Sequence, residues 1–286
     1  MNKNSLKNLI PASIWRYARR RRILKNHAAT ARICENLIED YFSNPMNLLP
    51  KAKKDPGTKK IIWQYWAQGY SELPEVVQRC LSSIEKYAED YQVIRLDDNN
   101  LSEYLELPEY VTEKRDKFSI AHFSDLLRVL LLSTYGGVWM DATVMLSAPL
   151  PKKYEAYDFF MFQRDKDERN TQYWEDTYAY YFGWHKGFRV NVLNSILFAK
   201  QGSLVISTLS GLLLKWWQEN DTVPDYFFFQ ILFDVLINGR LKDHNCPIVS
   251  DCIPHHLQQL INDMNYTLMA EDDILSLTPV HKLTYK

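Results

Sequence analysis

The chain has 286 residues, of which 46% are hydrophobic and 14% aromatic, so it can fill a substantial globular core. No stretch approaches the ~18 consecutive apolar residues of a transmembrane helix, and the N-terminus lacks the apolar run and cleavage site of a signal peptide. These features predict a cytoplasmic protein. Four cysteines spread over this length are typical of free thiols rather than of a disulfide framework.

The formal net charge of −1 hides a basic N-terminal region. Residues 1–60 hold 14 Lys or Arg and 4 Asp or Glu. Within this region, residues 10–25 place the run RYARRRR among Ile and Trp side chains, a pattern typical of an amphipathic basic helix. Such a helix either contacts an anionic membrane surface, where each cation contributes ~1 kcal/mol, or presents a solvated face. No nucleic-acid-binding motif continues into the acidic remainder, so we expect no nucleic-acid partner.

The best domain boundary follows this basic region. Helical periodicity covers residues 1–44 and stops at NPMNLLPKAKKDPGTKK, which is rich in Pro and Lys. We therefore expect a basic helical N-terminal extension over residues 1–55 and a main domain over residues 56–286.

Strands and helices alternate in the main domain. The run KIIWQYWAQG predicts a first strand, residues 73–90 a helix and residues 91–98 a second strand. Residues 118–134 predict a further helix that ends at a Tyr-Gly-Gly turn before a strand within residues 138–146. Later segments predict a strand at DFFMFQ, a loop at RDKDERNTQYWED, and helices near 203–219 and 224–238. This order predicts an α/β fold with a mostly parallel sheet, whose ligands bind beyond the carboxyl ends of the strands.

Three charged residues are candidates for such a site. Asp125 and Arg128 share one side of an otherwise apolar helix, and Asp141 ends the strand that follows it. One interpretation is an internal ion pair, since an unpaired buried charge costs several kcal/mol. The other is convergence of all three on one cleft, because the Gly-Gly turn brings the helix back to the strand.

The segment that contains these residues resembles a known family. AHFSDLLRVLLLSTYGGVWMDATVML, residues 121–146, is similar to the signature of the capsular polysaccharide synthesis glycosyltransferases and of family 32-like enzymes with a short Asp-x-Asp segment. KIIWQYWAQG and the C-terminal TPVHKLTYK extend the resemblance. It implies the glycosyltransferase A (GT-A) fold, a Rossmann-like sheet that binds a nucleotide-diphosphate sugar, usually with a divalent metal.

The resemblance also implies roles for individual residues. Asp125 and Arg128 would contact the donor, and Asp141 would be the first carboxylate of the Asp-x-Asp segment, both catalytic and metal-binding. Thr143 stands at the second position, where the commoner pattern has Asp. Because a hydroxyl is a weaker metal ligand than a carboxylate, dependence on Mn²⁺ or Mg²⁺ is open, and a metal would need another anchor or the diphosphate's own oxygens.

The resemblance extends to the C-terminal segment and to further contacts. It implies that His281 is an additional metal ligand and that Lys282 contacts a phosphate; the ordinary alternative for His281 is a surface residue. Asp225 is a candidate for the residue that deprotonates the acceptor, with helix capping as its alternative. The remaining candidate substrate contacts are Trp63, Trp66, Gly137, Thr143 and Asn191. Asn194 is, like Asn191, a candidate for a hydrogen bond to an acceptor sugar, with a position in a turn as the ordinary alternative for both.

Together these features predict a hexosyltransferase-type glycosyltransferase. It would move a sugar from a nucleotide-diphosphate sugar to a saccharide or lipid-linked saccharide acceptor in capsular or other cell-surface polysaccharide synthesis. We expect it in the cytoplasm, with a peripheral position at the inner face of the membrane through residues 10–25. The alternatives are a non-catalytic sugar-binding or scaffold protein that retains the fold, and a nucleotide-sugar hydrolase.

Overall fold

The computed structural model describes residues 11–44 and 50–285. The strands are β1 (Lys51–Ala52), β2 (Lys60–Tyr65), β3 (Tyr91–Leu96), β4 (Leu105–Glu106), β5 (Gly137–Met140), β6 (Val144–Leu146), β7 (Phe159–Gln163), β8 (Val192–Ala199) and β9 (Val280–Lys282). The α-helices are α1 (Ala12–Ser43), α2 (Glu75–Tyr87), α3 (Glu109–Glu113), α4 (Ile120–Tyr135), α5 (Thr171–Tyr178), α6 (Leu204–Glu219), α7 (Phe228–Asn238), α8 (His256–Asn262) and α9 (Glu271–Leu277). These elements form a mixed α/β fold.

The central sheet has the strand order β3-β2-β5-β8-β7. Strands β3, β2 and β5 are parallel, whereas β8 runs antiparallel to both β5 and β7. The sheet is therefore mixed: β3, β2, β5 and β7 run in one direction, as the predicted mostly parallel sheet requires, and β8 alone is reversed. No local pattern in the sequence marks the reversed strand. The antiparallel course matters for the site, since it sets the first residues of β8 beside the end of β5.

One predicted loop contains a helix. Residues 164–176 are strongly polar, yet α5 begins at Thr171 and is held by Trp174, whose side chain has no exposed surface. The loop prediction failed there because a single buried aromatic residue fixes this short helix, and one residue gives no periodic signal.

Helix α4 is the buried helix that carries two of the candidate residues. Its N-terminus is capped by Ser119, whose hydroxyl accepts a hydrogen bond from the His122 backbone N–H at 3.2 Å. It packs against α6 and the sheet, which explains its nearly continuous apolar sequence. It ends at Gly136, whose φ of +70° favours glycine, as the sequence predicted.

Helix α1 packs against α6 and α7 along its second half. From Ile23 onward it contributes Ala31, Cys34 and Leu37 to the same hydrophobic core as the central sheet. The division of the chain at residue 55 stays a prediction, and residues 1–10 and 45–49, on which part of it rests, lie outside the described residues. Within residues 11–44 and 50–285, no helix is both long and apolar enough to cross a bilayer.

A short antiparallel sheet joins β6 to β9 and so ties the C-terminal segment to the end of β5. Val144 pairs with Lys282, and Met145 pairs with His281. The backbone N–H of Leu283 donates to the carbonyl of Thr143 at 2.9 Å. The Asp141 turn and the C-terminal segment are therefore fixed to each other.

Candidate functional site

Asp141 lies at the carboxyl end of β5, where the chain turns away from the central sheet. Its backbone N–H donates to the carbonyl of Ser195 on β8 at 2.8 Å, and its own carbonyl accepts from the Val144 N–H at 2.9 Å. The backbone is thus held on both sides of the carboxylate. This is the sheet edge at which ligands bind in parallel α/β sheets.

Arg128 joins the two carboxylates across this edge. It donates from Nη1 to Asp125 and from Nη2 to Asp141 Oδ1, the latter at 3.2 Å. Asn194 Nδ2 donates to Asp125 at 2.7 Å, and Trp139 Nε1 donates to Asp141 at 2.8 Å. The predicted convergence of the three charged side chains is confirmed as geometry, and the predicted internal ion pair is part of it.

The three side chains differ in their access to solvent. The Arg128 side chain is 4% exposed, that of Asp125 is 12% and that of Asp141 is 27%. Burial raises the pKa of Asp125 to about 7, against the opposing charge of Arg128. Asp141 is therefore the member of the group that a ligand reaches first, with Arg128 as its buried support.

A second cation approaches from the C-terminal segment. Lys282 Nζ donates to Thr143 Oγ1 at 2.6 Å and to the Leu283 carbonyl at 2.8 Å. Burial lowers the pKa of Lys282, whereas the nearby charge of Asp141 raises it. Lys282 and Arg128 thus contact the same turn, Arg128 at Asp141 and Lys282 at Thr143.

His281 does not reach this group. Neighbouring residues on a strand point to opposite faces, so His281 on β9 points away from the face of Lys282. It is fully buried, and its Nε2 lies 2.9 Å from the Ser147 hydroxyl. Burial lowers its pKa to about 4, which keeps the imidazole neutral.

The donor set at this site does not fit a metal held by protein ligands alone. Asp141 offers one carboxylate already bonded to Arg128 and Trp139, and the Thr143 hydroxyl already accepts from Lys282. Among the residues that the structure describes, no three His, Cys, Asp or Glu side chains are grouped as metal ligands. The predicted pair Asp141 and His281 is separated because the two side chains point to different places.

Aromatic rings border the opening beside Asp141. Trp66, which follows β2, packs in the small cluster that includes Ala142, and its ring centroid lies 5.4 Å from that of Tyr285. Tyr226 is 61% exposed, and after desolvation the charges of Asp125 and Asp141 contribute most to raising its pKa. Such rings are suited to stacking on a sugar or a nucleobase.

Three other predicted site residues are held by contacts of their own. Trp63 is fully buried, donates to the Gly136 carbonyl at 3.0 Å and packs against Tyr135. Asn191 donates to Asp234 at 2.9 Å. Asp225 accepts from Asn26 and from the Phe227 backbone N–H, the latter at 2.7 Å, within the turn that precedes α7. Helix α7 has Phe227 at its N-cap and no side-chain cap, so Asp225 is not its cap. These contacts give Trp63 and Asn191 structural positions.

Gly137 lies at the opposite end of β5 from Asp141. There it borders a cavity of about 580 Å³, whose walls include Lys53, Lys60, Tyr91, Tyr154 and Ala199. Lys60 and Tyr91 are already bonded to Glu155. Because this cavity lies at the amino ends of the parallel strands, we assign the candidate site to the Asp141 edge instead.

Comparison with known proteins identifies the family of this chain. The chain matches the family described as capsular polysaccharide synthesis protein over residues 14–286. It belongs to the capsular polysaccharide synthesis protein family. The match includes helix α1 together with the central sheet.

Two individual proteins are also similar to this family member. The O-glycosyltransferase braB of Annulohypoxylon truncatum is 33% identical over 94 residues, which is 29% of this chain and 22% of that protein. The chain therefore matches about a fifth of that relative's length. The PaToxG glycosyltransferase structure is 14% identical, covers 76% of this chain and 79% of its own, and has a TM-score of 0.36.

Two residues of the site in this capsular polysaccharide synthesis protein, Trp139 and Tyr226, were not among the predicted site residues. Trp139 shares a strand face with Asp141, so the period of two along β5 pointed to it. Tyr226 approaches through a loop and has no local signal in the sequence. Asn194 was a candidate for contact with an acceptor sugar, but it donates to Asp125, which it reaches because β8 is antiparallel.

Proposed function

We propose that this capsular polysaccharide synthesis protein is a glycosyltransferase that binds a nucleotide-diphosphate sugar at the Asp141 edge of its sheet. The observation that carries the proposal is the bridge from Asp125 through Arg128 to Asp141, which places a buried cation behind an accessible carboxylate. The family membership and the O-glycosyltransferase relative support a transferase. A GT-A arrangement of the sheet and a hexosyl group as the transferred sugar are parts of the proposal.

The chemistry requires charge stabilisation at this edge. The bond between the anomeric carbon and the diphosphate oxygen breaks, and its electron pair stays on the leaving diphosphate. The acceptor hydroxyl oxygen forms the new bond to that carbon and loses its proton to a base. Fixed cations near the diphosphate lower the barrier because they stabilise charge that develops in the transition state. Among residues 11–44 and 50–285, Arg128 and Lys282 are the cations that contact the Asp141 turn.

Asp141 orients these cations and the donor sugar. Its carboxylate is held by Arg128 and Trp139, so its free lone pairs are directed at a ligand in the opening. A divalent metal, which the sequence resemblance implies, would have to be held by Asp141 and the diphosphate's own oxygens. Trp66 and Tyr226 at the rim would stack on the donor or the acceptor.

Asp225 is the proposed base for the acceptor hydroxyl. Its carboxylate sits one residue before Tyr226, whose pKa responds to the charges of Asp125 and Asp141. That neighbourhood supports a position on the acceptor side of the opening. The acceptor itself is proposed to be a saccharide or lipid-linked saccharide of a capsule or another cell-surface polysaccharide.

The exposed end of α1 supports a place at an anionic membrane surface on the cytoplasmic side. Ile14, Trp15 and Tyr17 are 54%, 45% and 57% exposed, and they lie among the arginines of residues 16–22. Apolar side chains and cations on one exposed helix segment are the combination that binds anionic lipid interfaces. Such a position would bring the enzyme to a lipid-linked acceptor.

Thermal unfolding with a panel of nucleoside diphosphates tests the donor site. A ligand that binds only the folded state adds ~2.7 kcal/mol of stability at 100 times its dissociation constant. We expect one nucleotide to raise the unfolding temperature of the wild-type protein and to have little effect on Arg128→Met. No increase with any nucleotide, with or without Mn²⁺ or Mg²⁺, would contradict a nucleotide-sugar donor.

A further inference from the structure

The Thr143 position and the C-terminal lysine form a single unit. Thr143 stands where the commoner motif has a second carboxylate, and its hydroxyl accepts a hydrogen bond from Lys282 at 2.6 Å. The strand pairing of Val144 with Lys282 fixes this contact through the backbone. The positive charge of Lys282 therefore lies at the position where a second carboxylate would otherwise help to bind a metal cation.

We propose that the ammonium group of Lys282 supplies the charge that binds the donor's diphosphate, so that diphosphate binding needs no divalent metal. This inference rests on the proposed function of the Asp141 edge and specifies how that edge works. It replaces the metal that the resemblance implies with a cation of this chain's own.

The hydrogen-bonding capacity of Lys282 fits this role. An ammonium group has three donors, and Lys282 uses two of them on Thr143 and the Leu283 carbonyl within residues 11–44 and 50–285. One donor is left for a phosphate oxygen. Because Thr143 accepts from Lys282, its own hydroxyl proton is also available to a phosphate oxygen. The Lys282 ammonium group and the Thr143 hydroxyl thus provide two adjacent hydrogen-bond donors for a diphosphate.

A second cation, Arg128, lies close enough to Lys282 to influence its pKa. Arg128 and Lys282 both act on the region of Asp141, since the charges of Asp141 and Arg128 shift the pKa of Lys282 in opposite directions. A diphosphate is a dianion or more, so it matches two cations better than it matches Asp141 alone. Asp141 accepts from Arg128, and Lys282 is held beside it through Thr143.

The side chains that could bind a metal also favour binding without one. His281, the expected additional ligand, is bonded to Ser147 on the other face of β9, and the Thr143 hydroxyl is already bonded to Lys282. A metal at Asp141 would have one protein carboxylate as a ligand. The other side-chain oxygen on this turn, Thr143 Oγ1, lies 2.6 Å from the ammonium nitrogen of Lys282. Electrostatic repulsion from that ammonium group disfavours a divalent ion.

Binding of inorganic pyrophosphate, measured by isothermal titration calorimetry, tests the proposal without knowledge of the donor's base. We expect the full chain to bind pyrophosphate in EDTA, with an affinity that Mn²⁺ or Mg²⁺ changes by less than about threefold. Lys282→Met should weaken binding roughly 10- to 100-fold, since a hydrogen bond to a charged group is lost. Lys200→Met, which removes a lysine bonded to the Ala156 carbonyl, is the control and should bind as the wild type does.

A double variant that replaces the lysine with a metal-binding carboxylate tests the proposal in the opposite direction. Thr143→Asp combined with Lys282→Met creates two carboxylates without the lysine, and we expect this protein to bind pyrophosphate only when Mn²⁺ is present. Circular dichroism and thermal unfolding check that each variant is folded. The wild-type titration in EDTA requires no variant and so decides the matter even where a variant does not fold.

Three results would overturn the proposal: wild-type binding that requires a metal, unchanged binding by folded Lys282→Met, or no pyrophosphate binding under any condition. Sugar transfer that needs a metal would leave the proposed function intact and remove this inference. Lysine-dependent binding without any sugar transfer would support the inference and count against the transferase.

Discussion

Arg128 Nη2 lies 3.2 Å from Asp141 Oδ1, and this contact joins the buried helix α4 to the end of strand β5. The same guanidinium holds Asp125, so one cation organises two carboxylates that the sequence separates by a full helical segment. The guanidinium also lies 5.3 Å from the Trp139 ring centroid. The site is therefore rigid on its buried side and open at Asp141.

The stability of this arrangement should depend on pH through Asp125. An unperturbed aspartate has a pKa of about 3.9, and burial raises the pKa of Asp125 to about 7. The folded state thus binds the proton more tightly, so the free energy of unfolding decreases as pH rises from about 4 to about 7 and is level above that. Between about pH 5.5 and about pH 8, Asp125 should lower the free energy of unfolding of the wild type by up to about 2 kcal/mol, and Asp125→Asn should lack this decrease.

Urea unfolding of the wild type and Asp125→Asn at several pH values measures this difference. The wild type should lose stability relative to the variant as pH rises. A difference that stays constant, or that grows in favour of the wild type, would show that Asp125 is ionised throughout.

Gly137 should be far more sensitive to substitution than another glycine with positive φ. Its φ is +101°, and an added Cβ would lie 2.6 Å from the Ile61 carbonyl oxygen. Gly202 has φ +72° but no atom within 4 Å of its added Cβ. We expect Gly137→Ala to cost about 3 kcal/mol or more and Gly202→Ala about 1 kcal/mol, because only the first adds a backbone clash to the strain. Equal losses in denaturant unfolding would contradict this account of the β2–β5 contact.

A buried ion pair away from the site should dominate the stability of its region. Arg164 donates to both carboxylate oxygens of Asp251 at 2.8 Å and also to the carbonyls of Tyr181 and Gly183. Asp251 has no exposed surface, so Asp251→Asn leaves a buried guanidinium without its counter-charge and should cost about 3–5 kcal/mol.

The control for this variant is Asp90→Asn. Asp90 pairs with Lys152 at 3.7 Å, and both side chains are largely exposed. Its unfolding midpoint in urea should match that of the wild type. A loss for Asp251→Asn no greater than that for Asp90→Asn would mean that the Arg164 network adds little to stability.

Membrane contact through the tip of α1 predicts a specific dependence on Trp15. This side chain is 45% exposed in the segment that precedes the packed part of the helix. Transfer of a large apolar side chain into an interface contributes about 1.5–3 kcal/mol, so Trp15→Ser should lower partitioning onto vesicles that contain anionic lipid about tenfold. Ile33→Ser changes a side chain that is 37% exposed on the same helix and should leave partitioning unchanged. Sedimentation with vesicles gives both values, and a wild-type protein that does not sediment would refute the membrane role.

Much of the fold and the core of the site could be predicted from sequence. Strong periodicity and a clear Gly-Gly stop identified α4 and β5, and the resemblance of residues 121–146 drew attention to Asp125, Arg128 and Asp141. These signals are local, and the Gly136-Gly137 turn alone was enough to predict that the three side chains converge. The resemblance of the C-terminal segment also pointed to Lys282.

The remainder depends on pairing between distant segments. Asn194 approaches Asp125 because β8 is antiparallel, and no local pattern specifies that direction. His281 and Lys282 were both assigned to the site, but alternation along β9 allows only one of them to face it, and register with β6 decides which. Trp63 was misleading because an aromatic residue at the end of a strand fills cores and lines pockets equally well.

Turnover of nucleotide sugars by the wild type and Asp141→Asn tests the central claim most directly. The measurement is release of nucleoside diphosphate from each donor in a panel, with and without saccharide acceptors. We expect one donor to be consumed faster when an acceptor is present, and Asp141→Asn to be slower by about 10²- to 10³-fold while unfolding at a similar temperature, since its side chain is partly exposed. Donor binding without turnover, consumption that no acceptor accelerates, or normal rates in Asp141→Asn would contradict a transferase centred on this carboxylate.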